Sequence, residues 1–141
     1  MHSQPGVRGT FSKLHNLPGP PPLVSGPDRY GFKTNSPADK ERVKLHNLIS
    51  VRVAKILDIL TDRLIPWIFE APACHENQVS VVHLDEYVLL LAKPGVKHKK
   101  GVQCPFGALS SKPTSWLYFM VDLEDMPSVC PHPMRKIGTA M

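Results

Sequence analysis

Residues 36–72 read SPADKERVKLHNLISVRVAKILDILTDRLIPWIFEAP, a long helical pattern running into a short apolar strand. Ser36-Pro-Ala-Asp39 is a helix start: the Ser hydroxyl caps a backbone N–H, Pro takes the first helical position, and the Asp carboxylate faces the positive end of the helix dipole. Leu45, Leu48, Ile49, Val53, Ile56, Leu57, Leu60 and Leu64 then recur at three- and four-residue steps, with Lys40, Glu41, Lys44, Lys55, Asp58 and Asp62 largely off that stripe. Val51 and Ile59 widen the apolar face, which implies burial on more than one side. The spacing predicts a helix over about 37–64. Pro66 cannot continue it, and Trp67-Ile-Phe69 has the aromatic and β-branched character of a buried strand over about 66–70.

Working outward toward the C-terminus, Leu84-Asp-Glu-Tyr-Val-Leu-Leu-Leu-Ala92 carries its acids early and its apolar residues late and stops at Lys93-Pro-Gly95, the pattern of a short helix over about 84–92. A strand is expected near 100–104. Ser115-Trp-Leu-Tyr-Phe-Met-Val121 is apolar on both faces, as a strand buried within a sheet would be. Strands 66–70 and 115–121 are expected to be sheet neighbours or near neighbours. The predicted core comprises Leu48, Ile56, Leu57, Leu60, Trp67, Phe69, Leu89, Leu117 and Phe119. The expected class is α/β, a small Rossmann-like sheet fragment with one long helix, divided into a loose Pro/Gly-rich arm over 1–35, an α/β unit over 36–123 and an irregular tail over 124–141.

The flanks carry most of the 15 prolines, and Pro18-x-x-Pro21 fits a rigid polyproline connector better than a dedicated SH3-type ligand. With 141 residues the chain holds one domain at most. Its net charge of +5 admits an anionic partner without demanding one. Three cysteines, Cys74, Cys104 and Cys130, lack a disulfide-framework spacing, so a reducing, intracellular setting is expected. No apolar run reaches the length of a membrane span, so a soluble protein without a membrane partner is expected.

Four places carry candidate chemistry. Glu70 ends the first apolar strand, where an α/β sheet delivers functional groups, although a solvated strand-terminal acid is the simpler reading. Lys97, Lys99 and Lys100, with Lys112 further on, form a basic set suited to a phosphate backbone or to guarding a sheet edge. Cys104, Cys130 and His132, with Cys74 or His75, invite a zinc reading that no Cys-x-x-Cys or His-x-x-x-His spacing supports, so no metal is expected. Cys74 follows Glu70 closely, but no base or cation is placed to activate it.

Taken together the motifs follow an order: Gly9-Thr-Phe-Ser12, a Pro-rich connector, a capped helix, Trp67-Ile-Phe-Glu-Ala-Pro72, a short helix, Gln103-Cys-Pro-Phe-Gly107, and Lys112-Pro-Thr114 before an apolar strand. Over about residues 5–133 this order resembles the methyltransferase-like domains of some retroelement and phage-type polyproteins, and more distantly the DNA cytosine-C5 methyltransferases. The resemblance implies a Pro-Cys loop bearing the nucleophile, an acid at a strand end that engages the base, and a Gly-Val-Pro-Gln-x-Arg segment before a later strand. The matching stretches are Gly6-Val-Arg-Gly-Thr-Phe-Ser12, Phe69-Glu-Ala-Pro72 and Phe106-Gly-Ala-Leu-Ser-Ser-Lys-Pro-Thr114. Glu70 matches the acid. Arg8 stands where the nucleophilic Cys would be, and a guanidinium that stays protonated cannot replace it. Lys112 only loosely replaces the Gln-x-Arg element. The half that would bind S-adenosylmethionine is expected before the loop, where this chain begins, so no cofactor is expected in this polypeptide.

Three functional expectations result. The first is a catalytically incomplete methyltransferase-like fragment that docks with a missing half. The second is a basic module that binds nucleic acid or another protein, and the third is a decayed fragment with no selected function. Exposed apolar surface is expected wherever a missing half would dock.

Overall fold

The computed structural model describes residues 22–73, 79–107, 109, 112–129 and 131. Helix α1 spans Pro37–Asp62, strand β1 Trp67–Pro72, helix α2 Asp85–Leu91, strand β2 Val96–Val102 and strand β3 Pro113–Phe119, with single 3-10 turns at Val81–His83 and Cys104–Phe106. The class is therefore mixed: two α-helices and a three-stranded antiparallel sheet among the described residues. The sheet order is β1-β3-β2, so the last strand lies between the other two and pairs antiparallel with each. Strands β1 and β3 are neighbours as expected, with Trp67 opposite Phe119 and Glu70 opposite Trp116. The neighbour pairs described contain none of the parallel pairing that a Rossmann-like fragment implies.

Both ends of α1 are closed by local chemistry. The Ser36 hydroxyl accepts from the Asp39 N–H at 3.2 Å and Pro37 occupies the first position. At the other end Leu64 adopts φ 56°, which lets its N–H reach the Thr61 carbonyl (3.1 Å) while the Ile65 N–H reaches Leu60 (2.9 Å). This is the paired hydrogen-bond arrangement that glycine usually provides after a helix. The reversal drops Trp67 back onto the helix, where its indole N–H donates to the Thr61 hydroxyl (2.9 Å), which in turn donates to the Leu57 carbonyl (2.7 Å). Helix end, turn and first strand thus form one hydrogen-bonded unit.

The core gathers Ala54 and Leu57 of α1, Trp67 and Ala71 of β1, Tyr87 and Leu90 of α2, and Leu117 and Phe119 of β3. Leu60 and Phe69 pack against it while half-buried, with the Phe69 ring tilted against Tyr87. The Tyr87 hydroxyl donates to the Ser50 carbonyl at 2.9 Å, and burial, followed by the nearby Glu86 charge, pushes its pKa well up. A smaller apolar cluster of Val24, Val43 and Val79 joins residues 22–35 to the first half of α1. That segment is also tied down through Arg29, which pairs with Asp85, and through the Tyr30 hydroxyl, which donates to Glu86 (2.7 Å) and accepts from the Asp85 N–H (3.1 Å).

Three predicted core residues lie outside. Leu48 and Ile56 are exposed, because α1 turns Val43, Ser50, Ala54, Leu57 and Thr61 inward instead of the wider Leu/Ile stripe. Small side chains at 50 and 54 let α2 approach closely enough for Tyr87 to reach the helix backbone; branched residues there would hold it off. Leu89 is 70% exposed because seven-residue α2 can bury only one face, and Leu84, Tyr87 and Leu90 take it. The strand expected at 100–104 lies at Val96–Val102, since Gly95, with φ 83°, ends the turn after α2 early enough for pairing to begin at Val96.

Candidate functional site

Strand alternation sorts the candidate residues of the sequence by face. Trp67, Phe69 and Ala71 point toward the helices, so Glu70 points to the other side of the sheet. Glu70 lies within β1, which continues to Pro72, rather than at its end. Its carboxylate accepts from the side-chain amide of Gln103, the residue that follows β2, at 2.7 Å. Across the sheet at the same level stand Trp116 and then Lys99.

The lysines are divided rather than gathered. Lys97 and Lys99 share the Glu70 face of β2, where residues 122–124 cross over them: Lys99 donates its ammonium to the carbonyls of Leu123 (2.9 Å) and Glu124, and Lys97 lies 3.5 Å from the Glu124 carboxylate. Lys100 is exposed on the other face, opposite Ser115, and Lys112 is exposed just before β3. Because β2 is an outer strand, charged side chains along it discourage pairing with another chain. His98, on the helix-facing side with Lys100, has its pKa lowered by partial burial first and then by the charges of Lys100 and His83.

No cluster of three or more His, Cys, Asp or Glu side chains able to hold a metal occurs among the described residues. Cys104 is buried in the turn after β2. Arg8 and the Gly6–Ser12 loop, Cys74, His75, Cys130 and His132 lie outside the described residues. The small cavity beside Val24, Asn47, Ser50 and Val79 has a volume of about 20 Å³, far below that of a small-molecule site. An open groove of about 320 Å³ between residues 30–35 and the first turns of α1 is lined by Tyr30, Phe32, Lys40, Val43 and Lys44. Its lining contains no carboxylate, thiol or imidazole. No described helix is long and apolar enough to cross a membrane.

A row of exposed apolar side chains lies on α1 itself. Leu45, Leu48, Ile49, Ile56 and Ile59 are all exposed, on the side of the helix turned away from Ala54 and Leu57. At about 100° per residue, Ala54 lies roughly 180° around the helix from Leu45, so the two apolar faces are opposed. The three- and four-residue periodicity does not separate them, and the surplus of Leu and Ile over what one stripe needs is the signal of a second face. Compared with protein-family models, with curated proteins and with solved structures, the chain finds no match in any of the three.

Proposed function

We propose that this chain is a protein-interaction module without chemistry of its own, and that α1 is its recognition element. The observation that carries this reading is the row of exposed Leu and Ile side chains on the outer face of α1. Scattered apolar residues are ordinary on a surface, but five on one helix face, interrupted by Arg52, form a strip of the kind that marks a partner site. The basic cluster supports a nucleic-acid role less well, because Lys97 and Lys99 are engaged by residues 122–124. The test is affinity capture with full-length protein and with an Ile49→Asp/Ile56→Asp variant. Proteins retained by the first and lost by the second, with nuclease present and with the Lys97→Ala/Lys100→Ala variant still binding, are the expected result. An identical set captured by all three proteins would refute it.

The resemblance to methyltransferase-like domains supplies a second proposal, a catalytically incomplete, Rossmann-like fragment in which Glu70 is the remaining acid. What favours it is a carboxylate held by a side-chain amide on the sheet face turned away from the helices. In this reading the α1 strip receives the missing half. The expected outcome with labelled S-adenosylmethionine and DNA is no donor binding and no transfer by the chain alone. Transfer that vanishes in Cys74→Ala would make it a working enzyme instead.

A further inference from the structure

Residues Leu45, Ile49, Arg52, Ile56, Ile59 and Arg63 succeed one another at steps of four, three, four, three and four. That is the spacing of a coiled-coil seam, and every one of the six is exposed. The seam runs about 27 Å, roughly five helical turns, long enough to carry a partner helix along most of its length. Its apolar sites are Leu45, Ile49, Ile56 and Ile59, with Arg52 at the centre and Arg63 at the end.

The charges around the seam are one-sided. Asp58 and Asp62 are both bound by Lys93, and Asp39 lies 3.8 Å from Arg42. Among the described residues Lys44, Arg52, Lys55 and Arg63 make no ion pair, and Glu41 is the one acid of α1 in the same position. An arginine at the centre of a closing interface must leave water, and a buried guanidinium without a counter-charge strongly opposes binding. Paired with a carboxylate in a two-pronged geometry it instead fixes register. We infer that the α1 seam receives an acidic amphipathic helix whose own apolar stripe packs on Ile49, Ile56 and Ile59 and which presents a carboxylate opposite Arg52. This rests on the interaction-module reading and specifies its partner class.

Other occupants fit the same surface less well. A parallel second copy brings Arg52 against Arg52, and an antiparallel one centred on the seam sets each Arg52 against an Ile56 with no counter-charge; both add the flanking lysines to the repulsion. Nucleic acid gains nothing from a strip of branched aliphatic side chains, which offers no aromatic surface for base stacking. An anionic membrane surface would accept the flanking cations, but a helix lying in it keeps its charges off the centre of its apolar stripe.

The test uses the full chain and a synthetic helix of about three heptads, with Leu and Ile on its stripe, Glu on both flanks and one Glu in the stripe to meet Arg52. A counterpart carries Lys at every Glu position. Both peptides repel their own copies, which limits self-association. Calorimetry is expected to show at least about tenfold tighter binding of the acidic peptide, a much reduced preference in Arg52→Glu, and loss of binding in Ile49→Asp/Ile56→Asp. Equal binding of the two peptides overturns the inference. So does sedimentation showing a wild-type dimer abolished by Ile49→Asp/Ile56→Asp, or stronger binding to vesicles containing phosphatidylserine than to the acidic peptide; both leave the α1 face as an interaction surface with another occupant. If the aspartate variant behaves as wild type toward peptides, vesicles and itself, the interaction-module reading fails as well.

Discussion

Ile56 and Leu57 are adjacent on α1 and nearly equal in hydrophobicity, yet Leu57 is 7% exposed and Ile56 56% exposed. Replacing each by alanine therefore tests which way the helix faces. Leu57→Ala removes a side chain packed within the cluster of Ala54, Trp67 and Tyr87, so it loses the transfer free energy of the removed groups and leaves a cavity; buried Leu→Ala changes cost about 2–5 kcal/mol. Ile56→Ala removes mostly solvated surface and gains a few tenths of a kcal/mol of helix propensity, for a net change within about 0.5 kcal/mol. The difference, at least about 1.5 kcal/mol, corresponds to a gap on the order of 1 M between urea midpoints at the m-values of a small domain. Urea titration of the isolated protein at low micromolar concentration measures it, followed by the fluorescence of buried Trp67 and Trp116. If Leu57→Ala proves too unstable to fold, Leu57→Val, with a smaller cavity, preserves the comparison. Equal losses at the two positions would mean that α1 is rolled so that its outer stripe is buried, and both the packing described and the recognition face would be refuted.

Gly101→Ala should destabilise, because a Cβ there meets Trp116 and comes within 2.6 Å of the Pro127 carbonyl; overpacking costs about 1–3 kcal/mol, and an unchanged midpoint would mean that residues near 127 do not cover β2. Leu64→Gly should stabilise by up to about 1 kcal/mol, since relief of the left-handed backbone strain exceeds the added freedom of the unfolded chain and an exposed side chain loses little packing; destabilisation in the same titration would argue against the reversal after α1. His98, whose pKa is lowered, binds its proton less readily folded than unfolded, so its contribution is fully present above the unfolded value near 6.5 and is lost as pH falls through the lower folded value. Urea midpoints between about pH 7.5 and 5 should fall less steeply in His98→Gln than in wild type, and parallel slopes would count against partial burial of the imidazole.

What neighbouring residues arrange among themselves was legible before any tertiary contact. Ser36 and Pro37 start α1, Pro66 excludes the helix from the segment beyond it, and Trp67–Phe69 and Ser115–Phe119 can form little other than strands, because caps, ring constraints and side-chain branching act within a few residues. Their pairing was also legible, since two strongly apolar strands in so short a chain have few other partners. The orientation of α1 was not, because Leu and Ile lie on both of its faces and hydrophobicity alone cannot rank them. Packing ranked them instead: the side carrying Ser50 and Ala54 admits α2 and the Tyr87 hydroxyl, and the bulkier side is turned out. Placement of Glu70 likewise depended on a distant residue, for its partner Gln103 follows β2, far along the chain from β1. Lys97, Lys99 and Lys100 are divided because β2 begins at Val96 and so takes all three into a strand, where side chains alternate between faces; the register decided which face each lysine took.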